Sequence, residues 1–390
     1  MFFADRVSKL HGSAIREMFK LLADPQIISF AGGAPSPALF PSEQLADITA
    51  QILKNNPAVA LQYGISEGYT PLREFVQSRM KAAGNLGDSD NLIITSGGQQ
   101  ALDLTFKSLI NEGDTVAVES PSFIGGLNSI KSYNAKIKAV PVLDDGLDTE
   151  ALEEIAKNDK IKIVYTIPTF QNPTGITMSL AKRKKMLELA EKYDFFILED
   201  NPYGELRYNG EEIATMKSMD TDGRVIYAGS FSKILSAGMR LGWCVARKDI
   251  MEKIIICKQV SDVHTPVLTQ MAAYEFCSRY SLDEHIAKSR ELYKTRCNAM
   301  LSALERYFPK DCSFTRPDGG IFLWCTLPER IDTQELLKKA VQKKVAFVPG
   351  ATCESDDKSS ANKIRLNYSL PDEGKIEKGI KILSEVIAEQ

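Results

Sequence analysis

Seven short apolar stretches punctuate the first two thirds of the chain: Leu92–Thr95, Thr115–Glu119, Ile137–Val142, Ile161–Ile167, Phe195–Glu199, Val225–Gly229 and Gly242–Ala246. Several are near-continuous apolar runs, which predicts strands covered on both faces. Between many of them the pattern lengthens to a helical period. In Gln99–Ile110 the residues Ala101, Leu102, Thr105, Phe106 and Leu109 fall on one face, and Ser179–Tyr193 is patterned likewise. Strand alternating with helix predicts an α/β fold with a largely parallel, seven-stranded sheet.

From about Thr265 the pattern changes to long helical segments. Short strands follow near Gly320–Leu327, Val345–Val348 and Ile364–Ser369, then a last amphipathic helix, Asp372–Glu389. That is the outline of a smaller α+β domain. At the other end, Val7, Leu10, Ala14, Met18 and Leu21 recur at three- and four-residue steps, predicting an amphipathic helix within Met1–Leu22 that packs with the small domain. The expected division is an N-terminal helix and segment at 1–50, a large domain at 51–285 and a small domain at 286–390.

A length of 390 residues suits this two-domain reading better than one small core. The net charge of −3 implies no basic face for nucleic acid. No apolar run approaches a membrane-spanning length, and the N-terminus has no uninterrupted apolar segment of the secretory kind. Seven cysteines, an odd number with no C-x-x-C spacing, argue against a disulfide framework or structural zinc and for a reducing cytoplasm. His11, His264 and His285 are too scattered to suggest a metal site.

Candidate chemistry gathers after strand ends, where open α/β sheets collect ligands. Ser230-Phe231-Ser232-Lys233 is followed by Ala237-Gly238-Met239-Arg240, so a lysine lies among hydroxyl residues seven positions before an arginine. The amine suits covalent attachment of a carbonyl cofactor, and Ser230, Ser232 and Arg240 suit its phosphate. Pyridoxal 5′-phosphate is the obvious group with both features. Thr95-Ser96-Gly97-Gly98-Gln99 opens a helix, offering backbone N–H groups and positive dipole to a phosphate. Asn172 is held among turn residues in Pro168-Thr169-Phe170-Gln171-Asn172-Pro173-Thr174-Gly175. Asp200 follows the buried run Phe195-Phe196-Ile197-Leu198 and would need a partner such as a protonated pyridine nitrogen. Tyr203, three residues on, is suited to the phenolic oxygen of the same ring. Each station alone reads equally as a glycine turn, an Asn-Pro turn or a capping aspartate; their order gives them force.

That order, Asn172, Asp200, Tyr203, Lys233, Arg240, resembles the fold-type I, aspartate-aminotransferase-like pyridoxal-phosphate enzymes over essentially the whole chain. Within them it is most similar to the 2-aminoadipate and kynurenine aminotransferase branch, which includes the catalytic half of MocR-type regulators. The closer likeness rests on Ser13-Ala14-Ile15-Arg16-Glu17, Ile28-Ser29-Phe30-Ala31-Gly32-Gly33-Ala34-Pro35, Leu61-Gln62-Tyr63-Gly64, His264-Thr265-Pro266, Phe347-Val348-Pro349-Gly350 and Ile364-Arg365-Leu366-Asn367-Tyr368-Ser369.

The resemblance implies that Lys233 holds the cofactor and then moves the substrate proton. It implies that Asp200 faces the pyridine nitrogen and Asn172 the ring oxygen or substrate carboxylate. Gly98, Gln99, Ser230, Ser232 and Arg240 match its phosphate cup, and Phe123 stands where many relatives carry a ring-stacking tyrosine. Arg365, with Gly33 and Asn172, matches the grip on the substrate α-carboxylate, and Arg16 a contact to a distal carboxylate. Tyr63 matches a tyrosine reaching the neighbouring subunit's phosphate, which implies a homodimer.

The implied function is a cytoplasmic aminotransferase. It passes an amino group from an L-amino acid of 2-aminoadipate, glutamate, aromatic or branched-chain type to a 2-oxo acid such as 2-oxoglutarate, by a ping-pong mechanism. Two alternatives stay open here. One is a lyase performing C–S β-elimination on the same fold. The other is a MocR-like regulator lacking its DNA-binding domain, although the aminotransferase-like pattern begins near Lys9 and leaves no room for such a domain.

Overall fold

The computed structural model describes residues 26–355 and 360–390, together with Ala4, Arg6 and Asp24. Its strands are β1 (Ile28–Ser29), β2 (Asp90–Thr95), β3 (Thr115–Ser120), β4 (Lys136–Leu143), β5 (Gly146–Leu147), β6 (Ile161–Thr166) and β7 (Phe196–Asp200). They continue as β8 (Val225–Ser230), β9 (Gly242–Arg247), β10 (Ser313–Phe314), β11 (Phe322–Thr326), β12 (Val345–Ala346), β13 (Val348–Pro349) and β14 (Lys363–Asn367). The seven apolar stretches of the first two thirds all enter one sheet, in the order β2-β9-β8-β7-β6-β3-β4-β5. Two-residue β5 adds an eighth, antiparallel edge strand, too short to leave a period in the sequence. Strands β8, β7, β6, β3 and β4 are mutually parallel, while β9 runs against both neighbours.

The continuous apolar runs arise because helices cover both faces. Val116, Val118, Ile163, Tyr165, Leu198 and Ile226 point into one core with Leu102 and Phe106 of the helix Gly98–Leu109. Their strand neighbours Ala117, Val164, Ile197 and Val225 point into the opposite core with Leu152, Met186, Leu189 and Ala190. The period of two is thus present, but both of its phases are apolar.

The C-terminal part contains a four-stranded antiparallel sheet, β10-β11-β14-β13. Here the expected strand Val345–Val348 divides. Val345 and Ala346 pair in parallel with Ile28 and Ser29, whereas Val348 and Pro349 pair with β14. Phe347 between them is fully buried, and this bend hands the chain from one sheet to the other. The expected boundaries at residues 50 and 285 both fall within continuous helices, Ser42–Asn55 and Leu282–Tyr307. The amphipathic helix expected within Met1–Leu22 lies outside the described residues.

Topology decides where chemistry collects. Parallel β3, β6, β7 and β8 all end at one edge, at Ser120, Thr166, Asp200 and Ser230. Because β9 is antiparallel, it begins at that same edge, and Gly242 pairs with both Ser230 and Thr95. Arg240, just before β9, and the glycine turn just after β2 are therefore brought together.

Candidate active site

The wall of one cavity of about 700 Å³ at this edge includes Gly33, Gly98, Gln99, Phe123, Asn172, Asp200, Tyr203, Ser230, Ser232, Lys233, Arg240 and Arg365. Two expected residues are not among them. Tyr63 is 80% exposed and its ring meets His264 edge-on at 5.8 Å. Arg16 lies outside the described residues.

One end of the cavity is built for an anion. Gly97 has φ +82°, in the left-handed region that a side chain rarely adopts, and a Cβ there would lie 2.5 Å from Arg240 Nη2. A Cβ on Gly242 would meet the Gly97 carbonyl carbon and the Gly98 nitrogen at 2.7 Å. These two absences let Arg240 close over the start of the helix Gly98–Leu109, which no side chain of the described residues caps. Arg240 Nη1 donates to the Ala237 carbonyl at 3.3 Å. Ser230 and Ser232 are buried beside it, and the Ser232 N–H donates to Ser230 Oγ at 3.0 Å. A helix N-terminus, two hydroxyls and a guanidinium make a phosphate-shaped electrostatic well.

The turn is braced from behind. Lys258 is completely buried and its Nζ donates to Asp262 Oδ1 at 2.9 Å, Gln100 Oε1 at 2.8 Å and Thr265 Oγ1 at 3.0 Å. Ser96 Oγ and Gln100 Nε2 both donate to Asp262 Oδ2, at 2.8 and 2.7 Å.

At the middle of the cavity Lys233 Nζ donates to the Gly33 carbonyl at 2.5 Å. Burial above all, then the positive charges of Arg240 and Arg365, lower its pKa to about 8, against a smaller opposing pull from Asp200. At pH 7 roughly a tenth of this amine is therefore uncharged and nucleophilic, far more than at the ordinary lysine pKa of about 10.4.

At the far end Asp200 closes β7, buried, with its carboxyl pKa raised to about 7. Desolvation is the main cause; Glu119 adds to it, while the Tyr165 hydrogen bond and Lys233 oppose it. A cationic ring nitrogen would relieve that desolvation. Burial also raises the Tyr203 phenol. The Tyr203 ring stands edge-on to Phe322 at 5.7 Å, and Phe322 lies 4.3 Å beneath the Arg365 guanidinium.

Arg365, on β14, is buried. Its Nη1 donates to Asn172 Oδ1 at 2.9 Å and its Nη2 to the Ala31 carbonyl at 2.8 Å. Among the described residues its Nε is buried without a hydrogen-bond partner. An unpartnered charged donor in a cavity is an invitation to a carboxylate. The Asn172 turn is held by its neighbour Gln171, whose Nε2 donates to Glu119 Oε2 and to the Pro121 carbonyl, and whose Oε1 accepts from the Thr174 N–H and hydroxyl.

An anion well, a buried amine of lowered pKa, a buried carboxylate awaiting a cation and an arginine whose buried Nε is free among the described residues fit pyridoxal phosphate with an amino acid beside it. Residues 25–383 match the family model of the class I and II aminotransferases. This chain belongs to that family. The aminotransferase is 44% identical to aromatic-amino-acid aminotransferase 1 of Thermococcus litoralis, across 100% of this chain and 94% of the relative. It superposes on the kynurenine aminotransferase of Pyrococcus horikoshii with a TM-score of 0.95 at 43% identity, covering 100% and 97% of the two chains. The α-aminoadipate aminotransferase of Thermus thermophilus, crystallised with N-(5′-phosphopyridoxyl)-L-leucine, matches with a TM-score of 0.92 at 35% identity over 99% and 97%. The reaction is transamination and the cofactor is pyridoxal 5′-phosphate. Neither the elimination reading nor the regulator reading is favoured by these relatives.

Some parts of the aminotransferase site carried no sequence signal. Phe322 lies in an apolar strand, and the Ala31 carbonyl is backbone. Tyr165 sits in an apolar run where a tyrosine reads as core. Among the described residues no group of three or more His, Cys, Asp or Glu is placed to hold a metal, and no helix is long and apolar enough to cross a membrane.

Proposed function

We propose that the cavity holds pyridoxal phosphate and an L-amino acid together, with each end of the site assigned as follows. Gly98, Gln99, Ser230, Ser232 and Arg240 bind the phosphate. Asp200 keeps the ring nitrogen protonated, Tyr203 donates to the ring oxygen, and Phe123 lies on the ring face. When bound, the cofactor supplies a carbonyl that takes the amino group and a ring that delocalises the electron pair left at the substrate α-carbon. Lys233 would attach the resting cofactor and, once released, would move the substrate proton between the α-carbon and the cofactor. Its lowered pKa near 8 suits that base role better than the ordinary value of about 10.4. Arg365 and Asn172 fix the α-carboxylate, with the Gly33 backbone bordering it. Arg16 would meet a second carboxylate on longer acidic substrates.

The observation that carries this reading is the convergence of Lys233, Asp200 and Arg365, from β8's trailing loop, β7 and β14, on one cavity. The amino donors are of the aromatic, kynurenine and α-aminoadipate kinds for which the relatives above are named, with 2-oxoglutarate as acceptor. Three further proposals go with it. The functional unit is a homodimer in which Tyr63 serves the neighbouring site. The large and small domains divide near residues 50 and 285. The protein works in the cytoplasm, in keeping with seven free thiols.

The test is visible absorbance of the purified protein, with L-2-aminoadipate, L-glutamate, L-leucine and L-kynurenine added separately. A yellow band that bleaches with a donor and returns with 2-oxoglutarate supports the assignment and ranks the donors. Pyruvate release from cysteine-like substrates without that cycle would transfer the same residues to an elimination.

A further inference from the structure

Tyr165 is a residue of β6, in register with Leu198 of β7, so it lies one strand away from Asp200. Its side chain is fully buried, and its hydroxyl donates to Asp200 Oδ2 at 2.9 Å. The ring is fixed on two sides. Phe106 meets it edge-on at 6.1 Å, and Gly126 leaves the room it needs: a Cβ there would lie 2.4 Å from Tyr165 Cε1 and 2.9 Å from the hydroxyl oxygen. Phenylalanine would fill the same volume and keep the same ring contacts. The hydroxyl is therefore not a packing requirement. A buried hydroxyl carries a desolvation cost that only a partner offsets, and here the partner is the carboxylate at the end of the cavity.

We propose that Tyr165 is a positioning residue for the cofactor, holding the Asp200 carboxylate by Oδ2 so that the group faces the ring nitrogen in one fixed orientation. The inference rests on the proposed role of Asp200. Tyr165 does not line the cavity itself and acts only through that carboxylate. The hydroxyl also favours the ionised carboxylate. It works in the same direction as Lys233 and against burial and Glu119. Tyr203, Tyr227 and Lys233 are the further titratable groups whose environments feel the Asp200 charge. Without the hydroxyl, Asp200 would be less firmly oriented and more readily protonated, and the ring nitrogen would carry less positive charge.

The experiment compares Tyr165→Phe, Gly126→Ala and Asp200→Asn with the unaltered protein. Pyridoxal phosphate is titrated into each apoprotein, the visible absorbance of each holoprotein is followed against pH, and the melting temperature of each apoprotein is recorded. Tyr165→Phe is expected to weaken cofactor binding about tenfold, the ratio corresponding to loss of one charge-assisted hydrogen bond, and to move the absorbance midpoint upward by about half a pH unit or more. The apoprotein melting temperature should change little. Gly126→Ala, which pushes the hydroxyl without removing it, should move both readouts the same way. If Asp200→Asn changes affinity and midpoint while Tyr165→Phe changes neither, the positioning role is overturned and the reading of Asp200 stands. If Asp200→Asn also leaves both unchanged, the reading of Asp200 fails and the inference with it. A fall in melting temperature with an unmoved midpoint would make Tyr165 merely structural and would also overturn the proposal.

Discussion

Lys233 is the residue whose chemistry is most sensitive to its surroundings. Burial and two nearby guanidinium groups disfavour its charged form, so its pKa falls to about 8 rather than rising. Only the neutral amine attacks a carbonyl. Reattachment of pyridoxal phosphate to the apoprotein should therefore accelerate with pH up to about 8 and level off above it; stopped-flow absorbance reads this directly. A rate still climbing at pH 10 would mean that the amine keeps its ordinary pKa. Arg365 allows a second prediction. Arg365→Lys keeps a charge but loses the planar fork that reaches Asn172, the Ala31 carbonyl and an incoming carboxylate. The expected cost is ~2–3 kcal/mol, seen mainly as a roughly 30- to 150-fold rise in KM for every amino donor, with Tyr203 and Phe322 left to pack. These two residues were legible in the sequence because a reactive amine or a guanidinium in a distinctive local string has few bland explanations. Phe322 and Tyr165 were not, since an aromatic residue in an apolar strand looks the same whether it packs, cradles an arginine or steers a carboxylate.

At the scale of elements, the site exists because five strand ends share an edge, and the seven main strands of that sheet were readable from apolar runs alone. What periodicity did not show was the order β2-β9-β8-β7-β6-β3-β4, because pairing is decided by contacts far apart in sequence. Nor did it show that Val345–Val348 changes sheets at Phe347. The bracing of the phosphate turn is another product of long-range contacts. Lys258 and Asp262 sit one turn apart at the end of the helix Lys248–Ser261 and hold Ser96, Gln100 and Thr265 from behind. Nothing in Lys258's own sequence context separates it from an ordinary surface lysine. Lys258→Met fills the same channel but strands the acceptors of Asp262, Gln100 and Thr265. The expected outcome is a loss of ~2–4 kcal/mol in stability, measured by denaturant titration of the apoprotein, and a pyridoxal phosphate affinity reduced several-fold. Unchanged affinity would mean that the glycine turn keeps its shape without this brace.

At the scale of the whole molecule, Tyr63 poses a question that one chain cannot answer for itself. It belongs to a strip of Val59, Leu61, Tyr63 and Ile65, exposed by 49, 71, 80 and 52%, and the Tyr63 ring meets His264, next to Val263, which is 47% exposed. An apolar strip so open to water is the kind of surface that a partner covers, and the proposed homodimer, with each Tyr63 serving the neighbouring site, would cover it. Subunit mixing separates this arrangement from its alternative. Suppose Lys233→Ala and Tyr63→Ala proteins are combined, unfolded and refolded together. If Tyr63 serves its neighbour, each hybrid dimer contains one site with both residues intact and one with neither. Random pairing makes about half the dimers hybrid, so activity should recover to roughly a quarter of the unaltered protein. If Tyr63 serves its own subunit, every site in every hybrid lacks one of the two residues, and mixing restores nothing above the parents. Leu61→Asp supplies the complementary measurement, because a charge buried without a counterion should push the dimer towards monomer in sedimentation. A monomer that retained full activity would remove the reason for Tyr63 to be where it is.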